Sequence, residues 1–412
     1  MNDNLDAREP SATQGALEKA ATKFRWISQI EAPDAPGFVF FGGEVHANDF
    51  GHPEADWPVA SLSGKGLNKK EAFEGCVGEG IEHLSRLEWH SEDLAQGAPD
   101  TVPHGHDTPV LSTLLELLGA DPEEVPVELD WMHATRLSDG EAVLVPADLC
   151  LRRAPGARAR ALPSAISSGC AAGPTNEAAT VAALLELVER DAAALWWDGG
   201  RRARAVSLET SAQADAPALI SQLRAGSENR MSGLLDITTE LEIPCFAAVS
   251  CNADGRGFAS GLAAGLDPWG AIRRAVLELC QIELGHHIVD AKRQVRGDAA
   301  LNDADRRKLL RSQRIDAHRD DRLHPTGSPR MFLASEQSDP EAGIDLIVRR
   351  LHGLGIEPLV VDLTRSFLGV PVVRALAPGL QPFPSTITTA RLAAEAARNH
   401  ILKHEGSEIP LF

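Results

Sequence analysis

No two cysteines in this chain are spaced C-x-x-C; Cys76, Cys150, Cys170, Cys245, Cys251 and Cys280 stand singly. That argues against a zinc knuckle and against a disulfide framework, and it leaves small buried apolar side chains as the reading of most of these thiols, Cys280 alone being placed beside a motif described below where it could approach a ligand. No apolar run approaches the roughly 20 residues needed to cross a bilayer. Residues 1–21 are polar and mixed in charge, without the basic segment and apolar run of a secretion signal. The expectation is a cytoplasmic protein with no membrane partner. Basic residues are in the minority, 40 Lys and Arg against 59 Asp and Glu, for a formal charge of -19. Such a surface repels phosphate backbones, so nucleic acid is not expected as a partner. There is no G-x-x-x-x-G-K-[ST] and no kinase signature set, so neither a P-loop nor a protein-kinase site is present.

What is there is an ordinary globular composition, 43% hydrophobic and 24% charged over 412 residues, with two or three domains' worth of core. Residues 1–21 read as a loose tail ahead of one domain over 22–412. Phe38 to Phe41, Glu141 to Val145 and Ile243 to Ser250 read as strands, and Pro109 to Gly119 as a helix. Pro99 to Thr108 is a polar loop, and Arg152 to Arg160 a basic one. Residues 290–330 are charged and poor in large apolar side chains, which suits an inserted set of surface helices and a loop. Glu357 to Leu363 and Val370 to Ala377 read as two buried strands flanking a turn.

The chain also repeats itself. Gly66, Gly173 and Gly265 each close a small glycine-containing segment, and thirteen residues later stand Glu79, Glu186 and Glu278. Seven residues before each glutamate is an alanine, Ala72, Ala179 or Ala271; three after it is Glu82, Glu189 or Gln281. Glycines permit tight turns and close backbone approach. The segment after each reads as a helix, on which positions three apart share a face. Carboxylates on a largely apolar helix are costly unless paired or bound to a cation. Five of them in three equivalent places point to a shared site for a hard cation, and oxygen ligands of this kind suit Mg²⁺ held jointly with nucleotide phosphates. Arg190 follows Glu189, and Arg274 lies one turn before Glu278; each can grip phosphate or neutralise its neighbouring glutamate. Lys65, in a Gly-Lys-Gly turn, can also reach an anion.

These motifs resemble the YcaO family. Ser63-Gly64-Lys65-Gly66 with Glu79 and Glu82 is similar to its first signature. Ser167 to Gly173, running on to Glu186-Leu187-Val188-Glu189-Arg190-Asp191-Ala192, is similar to the second, and Arg274 to Gln281 to the third. Asp362 to Arg365, Gly369 to Arg374 and Pro378-Gly379-Leu380 are similar to its late hairpin, so the resemblance runs from about Ser63 to Leu380. It implies an α/β (α+β) fold of pseudo-repeated β–α units around one ATP site. It implies Glu79, Glu82, Glu186, Glu189 and Glu278 as magnesium and nucleotide-shell carboxylates, Arg190 and Arg274 as catalytic arginines near phosphate, and Lys65 and Gln281 as further nucleotide contacts. The implied activity is ATP- and Mg²⁺-dependent O-phosphorylation of backbone amides in a ribosomally made precursor peptide, ending in an azoline or a thioamide, with ATP converted to ADP and phosphate.

The sequence departs from the family pattern at Gly75 (usually Ser), His83 (usually Arg), Pro174 (often Asn) and Ala178 (often Glu). These departures support a second expectation, a YcaO-like subunit that binds peptide or a partner enzyme without turnover. Azoline-forming members often end in a proline-rich tail. Residues 407–412 carry a single proline, which shifts the expectation toward thioamidation or a separate partner, a leader-binding protein or a TfuA-like one. The resemblance also implies a homodimer.

Overall fold

A computed structural model describes residues 12–52, 57–89, 92–97, 114, 117, 128–153, 167–206, 215–332, 339–385, 387–401 and 411. Every strand ladder among them is antiparallel, and the strands form three sheets. The first holds β1 (Trp26–Gln29), β2 (Val39–Val45) and β3 (Ala60–Gly66) in that order. The second contains β4 (Ala95–Gly97), β5 (Leu129–Arg136), β6 (Ala142–Pro146) and β7 (Cys170–Ala172), joined by β12 (Leu359–Asp362) and β13 (Val372–Leu376). Its path is β4-β5-β12-β13-β7, with β6 paired to β5. The third runs β11-β10-β9-β8, from β8 (Arg204–Ala205), β9 (Met231–Asp236), β10 (Cys245–Cys251) and β11 (Ala259–Ala264).

The helices are α1 (Ala12–Ala21), α2 (Lys69–Ser85), α3 (Asn176–Trp197), α4 (Ala216–Arg224), α5 (Pro268–Arg296), α6 (Asp303–Arg314), α7 (Pro340–His352) and α8 (Ala390–Arg398). The three repeats are the units β3–α2, β7–α3 and β11–α5. In each, the strand is the terminal one of its own sheet, and each helix also packs against the strand of another repeat, α2 on β7, α3 on β11 and α5 on β3. The repeated alanines explain how strand and helix meet. Ala72, Ala179 and Ala271 are completely buried. A Cβ on Gly64 would fall 1.9 Å from the carbonyl oxygen of Ala72, and one on Gly173 would fall 2.6 Å from the amide nitrogen of Ala179. Glycine facing alanine is what lets each helix lie flat on its strand.

Each repeat helix has its own apolar core. Cys76, Val77, Ile81 and Leu84 anchor α2 beneath the first sheet. Ala183, Leu184 and Val188 anchor α3, and Ile272, Val276 and Leu279 anchor α5. Full burial of one such Leu, Ile or Val contributes about 2 kcal/mol. The opposite helix faces are thereby free to carry charge.

Most expected elements fall where the sequence places them, with β2, β6, β10, β12 and β13 near their anticipated bounds. The loose tail does not extend to residue 21: residues 12–21 form α1, because Ala16, Leu17 and Ala20 supply an apolar stripe that packs on the first core. Within 290–330 the surface helices are the end of α5 and all of α6. Apart from residues 114 and 117, the helix expected over 109–119 lies outside the described residues, as do the loop 99–108 and most of the basic loop 152–160.

Candidate active site

The glutamates occupy the same depth in all three helices because the helices start alike. Asn68, Thr175 and Asp267 are the N-caps. Their side chains accept from the backbone N–H of Glu71 (2.9 Å), Ala178 (3.2 Å) and Gly270 (2.7 Å). From Asn68 to Glu79, Thr175 to Glu186 and Asp267 to Glu278 is eleven residues each time. At a rise of about 1.5 Å per residue, the three carboxylates stand some three turns into their helices.

Contacts between repeats then join them. The Glu79 carboxylate accepts from the Ser63 backbone N–H at 2.6 Å and the Ser63 hydroxyl at 2.8 Å. Gln281 on α5 donates to the same hydroxyl at 3.0 Å. Lys65 Nζ donates to Glu278 Oε2 at 3.2 Å. Glu82 on α2 accepts from the Ala172 N–H of β7 at 2.8 Å, and Glu186 accepts from the Gly169 N–H at 3.0 Å. Arg190 Nη2 lies 3.6 Å from Glu186 Oε1 and 3.7 Å from Glu189 Oε1. Arg274 donates to the carbonyl of Ala264 at 2.8 Å, within electrostatic reach of Glu189. All nine residues singled out in the sequence, Lys65, Glu79, Glu82, Glu186, Glu189, Arg190, Arg274, Glu278 and Gln281, are therefore gathered in one place, in small sets of contacts that feel one another's charge.

Its electrostatics are those of a crowded anionic cleft. Burial pushes Glu82 up to about 8; the Ala172 N–H opposes this, and Glu186 and Glu79 add to it. Burial also pushes Glu189 up to about 8, with Arg190 opposing and Glu278 and Glu186 reinforcing. Glu79 is raised by burial against its two bonds from Ser63. Protein surrounds Glu79 on most sides, yet its side chain stays open to solvent, so it lines a cleft and not a sealed core. Arg274 is lowered by burial, and Arg190 is raised because Glu189, Glu186 and Glu278 outweigh its own burial.

Five carboxylates thus face three cations, an arrangement that added positive charge relieves. The donors are all hard oxygens, which fits Mg²⁺. Among the described residues no three Asp, Glu, His or Cys side chains are grouped closely enough to hold an ion by themselves. Magnesium is usually bound by one or two carboxylates with phosphate and water completing the octahedron, so a nucleotide is the partner this donor set calls for.

A family model for the YcaO cyclodehydratases, described as ATP- and Mg²⁺-binding, matches residues 63–381. The chain belongs to the YcaO family. ATP and Mg²⁺ are the ligands that this YcaO protein's family model describes. A relative from Rhizobium leguminosarum bv. trifolii, named only as an uncharacterised protein in the tfuA 3' region, is 27% identical over 335 residues, 78% of this chain and 77% of the relative. Among solved structures, a heterocyclase in complex with substrate and cofactor superposes with a TM-score of 0.71 at 23% identity, over 93% of this chain. The YcaO chain spans about half (55%) of that protein. YcaO from Methanopyrus kandleri bound with AMPPCP and Mg²⁺ gives a TM-score of 0.61 at 20% identity, over 89% of this chain and 88% of the other. These structural likenesses are evidence of a common α+β fold.

Sequence reasoning missed two layers of the YcaO site. Ser63 bridges Glu79 and Gln281, although its place in the Ser-Gly-Lys-Gly motif was visible. The three N-caps were legible as Asn, Thr and Asp at one fixed distance before each glutamate. Cys280, beside the third motif, does not approach the cleft: it is buried on the core side of α5.

Proposed function

We propose that this YcaO protein activates a backbone amide of a ribosomally made peptide by O-phosphorylation with ATP and Mg²⁺, and that the product is a thioamide. The observation that carries the reading is the convergence of Glu79, Glu82, Glu186, Glu189 and Glu278 from three helices, with Lys65, Arg190 and Arg274 among them. ATP supplies the phosphoryl group that turns the amide oxygen into a leaving group, which departs as phosphate once sulfide from a donor has added to the amide carbon. The glutamates would hold magnesium, which would offset charge on the nucleotide phosphates. Arg190 borders both that anionic cleft and a small pocket of about 40 Å³ lined mainly by Leu149, Leu187, Leu376, Leu380 and Pro382. Arg190 and Arg274 offset charge that develops on the transferring group, which positioned donors in a cleft do well. Thioamide over azoline is supported by the tfuA-region relative, and a TfuA-like protein is the proposed partner.

The test is calorimetric titration of Mg-ATP into wild type and Glu186→Ala. Magnesium-dependent binding that disappears in the mutant supports the shared site; equal affinity in both overturns it. Gly75, His83, Pro174 and Ala178 favour a second reading, a subunit that binds peptide or partner without turnover. ATP bound but never converted to ADP, with precursor peptide, sulfide donor and partner all present, would establish that reading instead.

A further inference from the structure

Beyond the cleft, the second half of α5 packs on α6, and cationic side chains gather where they meet. Arg311 on α6 is only 6% exposed, yet among the described residues no carboxylate pairs with it and its Nη1 is sealed from solvent without an acceptor. The neighbouring charge it feels is another cation, Arg307. His286 on α5 has a buried Nε2 that also lacks a partner. Its ring feels the positive charge of Arg230, Arg311, Lys308 and His287. Lys308 reaches across to α5 here: a Cβ on Gly285 would be in ordinary contact with its Nζ at 3.5 Å and its Cε at 3.9 Å.

The nearby acids are already engaged. Asp305 is held by Lys292 at 2.6 Å and by the Asn302 N–H at 3.1 Å. Glu283 is gripped by both ends of Arg224, at 2.6 and 2.8 Å. Arginine does not shed its proton inside a protein. A buried cation without a counter-charge is strongly unfavourable unless something arrives to pair it. A guanidinium and an ammonium are donors only, and an imidazole nitrogen can carry its proton toward the same place, so what completes them is a compact group rich in acceptors.

We propose that the α5–α6 groove is a binding site for a small tetrahedral oxyanion, inorganic phosphate, held by Arg311, His286 and Lys308. The site is separate from the carboxylate cleft. His286 lies eight residues beyond Glu278 on α5, roughly 12 Å along the helix axis. It stands whether or not the peptide-activating reading does.

The experiment is thermal unfolding of the full chain in chloride and in phosphate at equal ionic strength. Wild type, Arg311→Met and Glu186→Ala are compared, the last to remove any contribution from the nucleotide cleft. Without phosphate, Arg311→Met should be as stable as wild type or more so, because an uncompensated buried charge is gone. Phosphate should raise the midpoint of wild type and of Glu186→Ala by several degrees and leave Arg311→Met unmoved. A second readout is His286 by NMR, whose imidazole should titrate at higher pH once phosphate is present. A crystal soaked in selenate should show anomalous density at Arg311. If Arg311→Met is destabilised in chloride while the phosphate response persists, Arg311 is a structural residue and the proposal fails; a wild type indifferent to millimolar phosphate sinks it equally.

Discussion

Lys65 and Glu278 stand 213 positions apart in the sequence, and their side chains meet at 3.2 Å, closing the first repeat onto the third. The pair is partly open, 28% and 19% exposed, so its contribution to folding is below about 1 kcal/mol. Its importance lies in placing a cation against a cluster of five carboxylates. Lys65→Met should leave the unfolding midpoint nearly unchanged and weaken Mg-ATP binding about tenfold, a loss of about 1.4 kcal/mol. Calorimetry beside thermal unfolding checks both halves, and a variant that unfolds early without losing affinity would refute the assignment.

Glu82 and Glu189 make binding depend on pH. Both are pushed up to about 8 in the ligand-free protein, so at neutral pH each largely keeps its proton. Gripping a metal needs the carboxylate, and binding must therefore expel protons. Mg-ATP affinity should climb between about pH 6 and pH 8, by roughly tenfold per unit for each proton released, and level off above. For folding without ligand the sign is opposite. At these two groups the folded state holds more protons than the unfolded one between the ordinary carboxylate value of 4.5 and about 8, so their contribution to stability is complete below that window and declines as pH rises through it. Titrations in buffers of different ionisation enthalpy count the protons directly.

How much of this was legible beforehand follows from what repeats. The glycine, alanine and glutamate spacing was plain because each unit needs the same close strand–helix contact and the same depth of carboxylate. Gly64 against Ala72 is one instance and Gly173 against Ala179 another. The assignment of the three strands to three different sheets was not legible. Strand order depends on long-range partners such as β13 beside β7, whose residues Val373 and Ala171 pair across some two hundred positions. Nor could spacing reveal that Ser63 serves both Glu79 and Gln281, since a serine beside glycines reads as a turn residue. The buried Arg311 was hidden for a similar reason: a charged segment reads as surface until a helix is seen to cover it.

His83 occupies a position where the family usually carries arginine, and its surroundings give it an acid-sensitive contribution to stability, opposite in sign to that of Glu82 and Glu189. Burial lowers it to about 4, and Arg86 and Arg152 add to the effect. The folded state then binds fewer protons than the unfolded one between about 4 and 6.5. Its stabilising contribution is present above that window and is lost as pH falls through it. The loss should be on the order of 1–2 kcal/mol, and His83→Gln should flatten this part of the denaturation profile. Chemical unfolding at pH 7 and pH 5 decides it: equal slopes for mutant and wild type would remove His83 from the account.

Two glycines on the first unit should behave oppositely. Gly64 lies on β3 where an added Cβ would meet the backbone of α2, at 1.9 Å from the Ala72 oxygen and 2.3 Å from the Cys76 nitrogen. Backbone cannot swing aside as a side chain does, so Gly64→Ala must lift the helix from the strand. A cost of about 1–3 kcal/mol is expected from such overpacking, together with a loss of Mg-ATP affinity as Glu79 leaves Ser63. Gly75, on the exposed side of α2, is the family's usual serine position. A Cβ there would meet only Gly64 Cα at 3.7 Å and Lys65 N at 3.9 Å, ordinary contacts. Gly75→Ser should therefore change stability by no more than about 0.5 kcal/mol. Because the added hydroxyl would stand beside the Lys65 turn, any gain in ATP turnover from this variant marks the glycine as a handicap to catalysis. Unchanged turnover, with the fold intact, shows that the cleft works without that serine.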